Sequence, residues 1–244
     1  MRIGLLAVAL IAFAGLGLAL YRSDAVQLNR PDPEKFPIAG IDVSHHQGEV
    51  DWARVAEAGV AFAYLKSSEG RDFRDTRFEQ NWSEAAKAGI PRGAYHFFTF
   101  CSPGAAQAAH FLETAPPAPD ALPPVADVEF VGNCTEYGEL AKVRDELEIF
   151  LRAVEQAWRV KPILYLTPES LERVIGSELT GLPIWIRSVF SQPGLDEYRG
   201  WVLWQFSDNS RIPGIAGPVD RNVLRPGLSL AELTRPAGPG RRGL

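Results

Sequence analysis

Asp127 and Glu129 stand two residues apart in the run Val125-Ala126-Asp127-Val128-Glu129-Phe130, which two prolines, Pro123 and Pro124, lead into. Apolar neighbours make this a strand. Side chains alternate along a strand, so both carboxylates point to one face, with Cα atoms roughly 6.5 Å apart. Like charges that close resist joint ionisation, and one carboxyl keeps its proton towards neutral pH. The result is an acid beside a base, the pairing that glycoside hydrolysis uses. A polar strand end that carries two acids without chemistry is the alternative, and the pair alone does not separate the two.

The chain around the pair alternates short apolar runs with amphipathic stretches. Strands are predicted at 38–43, 62–66, 92–98, 125–129 and 162–166, with helices at 51–58, 76–88, 103–113, 136–158 and 168–175. This strand–helix rhythm implies parallel strands with helices outside. Strands at 183–187, 201–206 and 218–220 follow with little or no helix between them. The fold class is therefore α/β: a modified TIM-like barrel of five βα units followed by three further strands. An open doubly wound sheet is the other reading, weakened because no Gly-rich phosphate loop follows the first strand.

Barrels of parallel strands carry their active residues at the C-terminal strand ends. Asp42 ends the first strand, Asp127 and Glu129 the fourth, and Asp220 the last, so four carboxylates are expected at one mouth. Tyr95, His96, Tyr165, Trp185, Trp204 and Gln205 lie on the other strands and are candidates to contact a sugar. His45-His46 suggests a metal, but adjacent side chains on an extended segment diverge, and no partner stands at ligand spacing. No metal is assigned, and no organic cofactor is called for. A Gly-x-Ser-x-Gly hydrolase signature is missing from the sequence.

The 244 residues are 46% hydrophobic and 23% charged, enough for one catalytic domain, placed at 38–229. The net charge of −5, with no basic block except Arg241-Arg242, argues against a nucleic-acid partner. Residues Ile3 to Leu20 are unbroken apolar sequence between Arg2 and Arg22. Residues 1–22 are read as a membrane anchor or signal segment, 23–37 as a polar tether, and 230–244 as a Pro- and Gly-rich disordered tail. The domain is then exported, to the periplasm or beyond, tethered to the inner membrane by residues 3–20. In such a compartment Cys101 and Cys134 suggest one disulfide, with two buried free thiols as the alternative. A monomer is expected.

Five blocks in order resemble glycoside hydrolase family 25, the Chalaropsis-type lysozymes or N-acetylmuramidases. They are Gly40-Ile41-Asp42-Val43-Ser44-His45-His46-Gln47-Gly48, Tyr64-Leu65-Lys66-Ser67-Ser68-Glu69-Gly70, Gly93-Ala94-Tyr95-His96-Phe97, Asp127-Val128-Glu129, and Trp204-Gln205-Phe206-Ser207-Asp208 with Gly217-Pro218-Val219-Asp220. The resemblance spans about residues 38 to 224. It implies a modified (β/α) barrel and cleavage of the β-1,4 bond from N-acetylmuramic acid to N-acetylglucosamine in peptidoglycan glycan strands. It also implies Glu129 as proton donor, Asp127 as the assisting acid, and Asp42 and Asp220 as the remaining acids of the cleft. Two positions depart from the family pattern. Trp185-Ile186-Arg187-Ser188-Val189 lacks the usual aromatic, and Arg221 stands before Asn222 where an apolar residue is common. A non-catalytic, membrane-tethered peptidoglycan-binding module and a hydrolase of another amino-sugar polymer such as chitin are the other readings.

Overall fold

The computed structural model describes residues 29–175, 181–194 and 200–234. Its strands are β1 (Ala39–Val43), β2 (Phe62–Glu69), β3 (Phe73–Arg74), β4 (Arg92–Phe97), β5 (Val125–Val128), β6 (Ile163–Leu166), β7 (Ile184–Arg187), β8 (Trp201–Ser210) and β9 (Val219–Leu224). They hydrogen-bond in the order β1-β9-β8-β7-β6-β5-β4-β2-β3, and a β1–β2 pairing closes the ring. The result is an eight-stranded barrel with β3 as a short antiparallel flap on β2. The helices α1 (Trp52–Glu57), α2 (Phe78–Lys87), α3 (Gly104–Thr114) and α4 (Leu140–Trp158) follow β1, β2 with its flap, β4 and β5. Short helical turns at Pro168–Ser170 and Leu171–Ile175 follow β6. The closed ring rules out the open doubly wound sheet.

Local chemistry explains the element ends. Asp51 caps α1 by accepting from the Arg54 N–H at 3.2 Å. In α4, Val143, Leu147, Phe150, Leu151, Val154 and Trp158 are buried. That i, i+4 spacing makes one apolar face against the strands. The helix starts at Leu140 rather than 136 because Gly138 adopts φ 72°, a left-handed conformation that breaks the turn.

Alternation sorts the core into two layers. Phe62, Tyr64, Leu122, Val125, Ile163, Tyr165, Trp185, Leu203 and Leu224 fill the barrel. Val43, Ala63, Leu65, Ala126, Val128, Leu164 and Ile186 point outwards to the helices. Gly93 lets the large rings fit inside: a Cβ there would lie 2.2 Å from the Tyr64 ring.

Three expectations need correction. The last strand is not parallel: β9 runs antiparallel to both β8 and β1. The link at 211–218 is too short for a crossover, which takes a dozen or more residues. The stretch ahead of β1 is not all tether. Phe36 is buried against Trp204, ring centroids 5.6 Å apart, on the outer face of β8. The tail does not begin at 230. Leu230–Leu233 forms a helical turn in a Ser229–Glu232 capping box, and Leu228, Leu230 and Leu233 pack on the inner cluster at the end opposite the carboxylates. The expected anchor at 3–20 and the tail beyond 234 lie outside the described residues; no helix among the described residues is long and apolar enough to cross a membrane.

Candidate active site

The four acids meet at one mouth. Asp42 ends β1 in the parallel sense, whereas Asp220 is at the start of antiparallel β9 and faces Asp42 as its cross-strand partner. The reversal of β9 is what brings the first and last strands' acids side by side. Asp127 lies near the end of β5, and Glu129 follows just beyond it. A narrow inner lobe of about 90 Å³ is lined by Asp42, Tyr95, Val125, Asp127, Glu129, Tyr165, Trp185 and Asp220. A wider outer lobe of about 240 Å³ shares five of these residues and adds Ser44, His46, Gln47, Lys66 and Phe97 at its rim.

Each acid has its own surroundings. Asp42 is buried, and its Oδ2 accepts from Asn222 Nδ2 at 2.7 Å. The other end of that amide accepts from Trp185 Nε1 at 2.8 Å. Burial, then the neighbouring Asp220, raises Asp42 well above the usual carboxylate range. Burial, followed by the charge of Asp208, lifts Asp220 to about 6. Asp127 is buried at the cleft floor, and its Oδ1 has no hydrogen-bond partner. Burial and then Glu129 raise its pKa well above normal. Glu129 is half-buried and opens to both lobes. Burial raises it too, and the Arg187 and Lys66 cations oppose that rise. Asp127 and Glu129 therefore titrate as a pair, with the deeper carboxyl the harder to ionise.

Of the expected sugar contacts, Tyr95, Tyr165 and Trp185 line the inner lobe. Gln205 sits behind it, 2% exposed, and accepts from the Tyr165 hydroxyl at 2.6 Å. It is a support, not a wall. His96 and Trp204 are corrections. Each is adjacent to an inward residue, Tyr95 or Gln205, and adjacent strand residues cannot share a face. His96 lies in the outer layer, bonded to Ser68 at 2.9 Å and Gln107 at 3.2 Å and stacked on Phe150. Trp204 donates to the Ser188 carbonyl at 2.9 Å. Arg221 likewise points outwards, lining a surface hollow with Phe36 and Phe206. The same parity reveals what sequence reasoning missed: Lys66 shares a face with Tyr64, Arg187 with Trp185, and Asn222 with Asp220.

His45 and His46 do not diverge. They lie in a 3-10 turn capped by Ser44, not in extended chain, and their rings are 4.0 Å apart. His45 Nδ1 bonds Asp75 Oδ2 at 2.8 Å. Among the described residues no three His, Cys, Asp or Glu side chains are grouped to hold a metal. Cys101 and Cys134 form a disulfide, Cα atoms 6.1 Å apart, tying the loop after β4 to the one after β5. Asn133 reinforces that link, accepting from Phe100 N at 2.8 Å and donating to the Glu129 carbonyl at 2.9 Å.

A closed barrel with paired acids across its C-terminal mouth, walled by aromatic side chains, is the layout of a carbohydrate-cleaving hydrolase. The chain belongs to glycosyl hydrolases family 25, whose family model matches residues 41–215. It is similar to the uncharacterized protein YegX of Escherichia coli strain K12, 33% identical over 199 residues, 79% of this chain and 71% of that one. Lysozyme M1 of Streptomyces globisporus is 34% identical over 197 residues, 76% and 67% of the two chains. Among solved structures, a family 25 glycosyl hydrolase from Bacillus anthracis superposes with a TM-score of 0.76 at 35% identity, covering 84% of this chain and 95% of that one. The bacterial lysozyme from Streptomyces coelicolor does so with 0.72 at 33%, covering 81% and 95%.

Proposed function

We propose that this chain is an N-acetylmuramidase that hydrolyses the β-1,4 bond between N-acetylmuramic acid and N-acetylglucosamine in peptidoglycan, with Glu129 as general acid and Asp127 as its assistant. One observation carries the division of labour. The unpartnered Asp127 Oδ1 is buried at the cleft floor, while Glu129 stands above it, half-buried and open to both lobes. A buried carboxylate oxygen without a donor is costly, and a ligand N–H would satisfy it. The 2-acetamido group of an amino sugar supplies such an N–H.

The chemistry then follows the substrate-assisted exception to the two-carboxylate scheme. The acetamido oxygen attacks the anomeric carbon as the C–O bond to the leaving sugar breaks. Glu129 gives its proton to the leaving oxygen, and Asp127 holds the acetamido N–H and stabilises the positive charge that develops there. Water then displaces the acetamido oxygen from the anomeric carbon, Glu129 takes a proton from that water as the acetamido group re-forms, and the two inversions retain the configuration. Burial and then the neighbouring Glu129 make the deeper Asp127 the harder to ionise. An N–H donated by substrate stabilises its anion and leaves the shared proton on Glu129, where it is needed.

The Cys101–Cys134 disulfide fits an oxidising compartment. We place the domain in the periplasm or outside the cell, with residues 3–20 as its tether and glycan strands as its partner. Digestion of purified peptidoglycan with mass analysis of the products is the test. Muramic acid at the new reducing ends is expected, and Glu129→Gln should remove turnover while leaving the fold intact. New N-acetylglucosamine reducing ends, or an undiminished rate in Glu129→Gln, would overturn the assignment.

A further inference from the structure

The cleft presents four carboxylates, yet the substrate proposed above carries carboxylates of its own on the lactyl arm of muramic acid. Among four acids, a cation offsets the repulsion that a docking anion meets. Among the described residues two fixed cations act on Glu129: Lys66, which lines the outer lobe, and Arg187, at the end of β7. Lys66 is engaged: its Nζ bonds Glu69 Oε2 at 2.7 Å, lies 5.1 Å from the Phe97 ring centre and 5.6 Å from that of Phe73, and its side chain is 11% exposed. Arg187 differs. It ends β7 on the same face as Trp185, which lines the inner lobe, and its side chain is 32% exposed. One Nη donates to Asp208 at 2.8 Å. The remaining donors of its five-hydrogen fork have no protein partner among the described residues. Its charge opposes the rise of the Glu129 and Asp220 carboxyls.

We propose that Arg187 receives a carboxylate on the lactyl arm of muramic acid and so makes the cleft prefer muramyl strands to neutral amino-sugar strands. A planar guanidinium fork matches a carboxylate in a bidentate way that an ammonium cannot. The arm leaves the ring one carbon from the acetamido group that Asp127 is assigned to hold. The carboxylate is that of the lactyl group in peptide-free strands, or one on the attached stem peptide.

The inference rests on the muramidase reading, and its test separates the two. Binding is measured by calorimetry in Glu129→Gln protein, so that no ligand is consumed. The ligands are a muramyl tetrasaccharide with free lactyl acids, its methyl ester, and the peptide-bearing form. A charge-assisted contact predicts an acid-over-ester affinity ratio of about tenfold or more. Adding Arg187→Gln should bring that ratio close to one, and Arg187→Lys should keep part of it. Asp208→Asn, which releases the fork, should raise it. A merely structural role would instead weaken acid and ester alike. The peptide-bearing arm identifies the source of the carboxylate: a larger Arg187-dependent ratio there points to the stem. An acid-over-ester ratio that ignores Arg187→Gln overturns the inference. If the unmutated protein cleaves no strand while the ratio still follows Arg187, the muramidase reading fails and the inference stands; if no strand binds, both fail.

Discussion

Replacing Asp220 by Asn should make the protein more stable at pH 8 and leave it no more stable at pH 3.5. Burial and the charge of Asp208 raise the Asp220 carboxyl from 3.8 to about 6 in the folded chain. A carboxyl with a raised folded pKa favours the fold below its unfolded value, near 4. That contribution is lost as pH climbs to about 6, and above this the folded state carries a charge it holds badly. At about 1.4 kcal/mol per pH unit the burden on the folded state is about 3 kcal/mol at pH 8. The Asn amide keeps part of its own burial penalty, roughly 1 kcal/mol, so about 2 kcal/mol of net stabilisation remains. For a domain of this size that is roughly 4–8 °C in melting temperature. Relief of Asp42, which Asp220 also holds up, adds to the gain in the same direction. Urea unfolding of parent and variant at both pH values measures the difference. His96, held neutral with a pKa of about 3, weakens the fold as pH falls below about 6.5, but it does so equally in both proteins and cancels. A stability difference that is the same at pH 3.5 and pH 8, or a variant that is weaker at pH 8, would refute the reasoning. Activity should fall in the same variant, because the group that burdens the fold lines the cleft.

Two further outcomes concern what holds the mouth together. Asn222→Leu strands both the Trp185 N–H and the Asp42 carboxylate. It should destabilise by about 3 kcal/mol or more. Because Asn222 lowers the Asp42 pKa, that loss should be larger at pH 8 than at pH 3.5 in denaturant titrations. Cys101→Ser with Cys134→Ser opens a link across a sequence separation of 33, which should lower stability by about 3–4 kcal/mol in the chain-entropy account. Chemical unfolding with and without reductant checks it, and a loss under about 1 kcal/mol would show that Asn133 alone holds the loops.

The fold was legible wherever a period was long enough to read. The five early βα units, the strand carrying Asp127 and the change of rhythm after residue 175 all follow from alternation and helix spacing. Strand direction did not. Asp220 was assigned to the correct mouth as the end of a parallel strand, whereas it begins an antiparallel one. The length of the 211–218 link, the feature that sets the direction, was visible in the sequence. His96 and Trp204 resemble Tyr95 and Gln205 in residue type, but neighbours on a strand face opposite ways. Counting in twos from Asp220 or Trp185 would have found Asn222 and Arg187. No period marks Phe36 or the leucines at 228–233, because they dock as single side chains into gaps that exist only once the barrel has closed.

Those gaps and the acid cluster belong to one argument. A barrel interior is most stable when packed with apolar side chains, and the end of this one beneath Leu228, Leu230 and Leu233 is closed that way. The opposite end holds buried acids with few partners: an amide for Asp42, none for Asp127 Oδ1. Cations could have neutralised them, since the carboxylates would pair readily with lysine or arginine. Instead Lys66 bonds Glu69 and Arg187 bonds Asp208, both outside the Asp127–Glu129 pair. A salt bridge to Asp127 or Glu129 would pull its pKa down and leave no proton to donate. The arrangement therefore keeps positive charge near enough to limit the rise of Glu129 and too far to quench it. Under the proposed mechanism Glu129 needs that condition to act as general acid, whereas passive binding alone would not call for it.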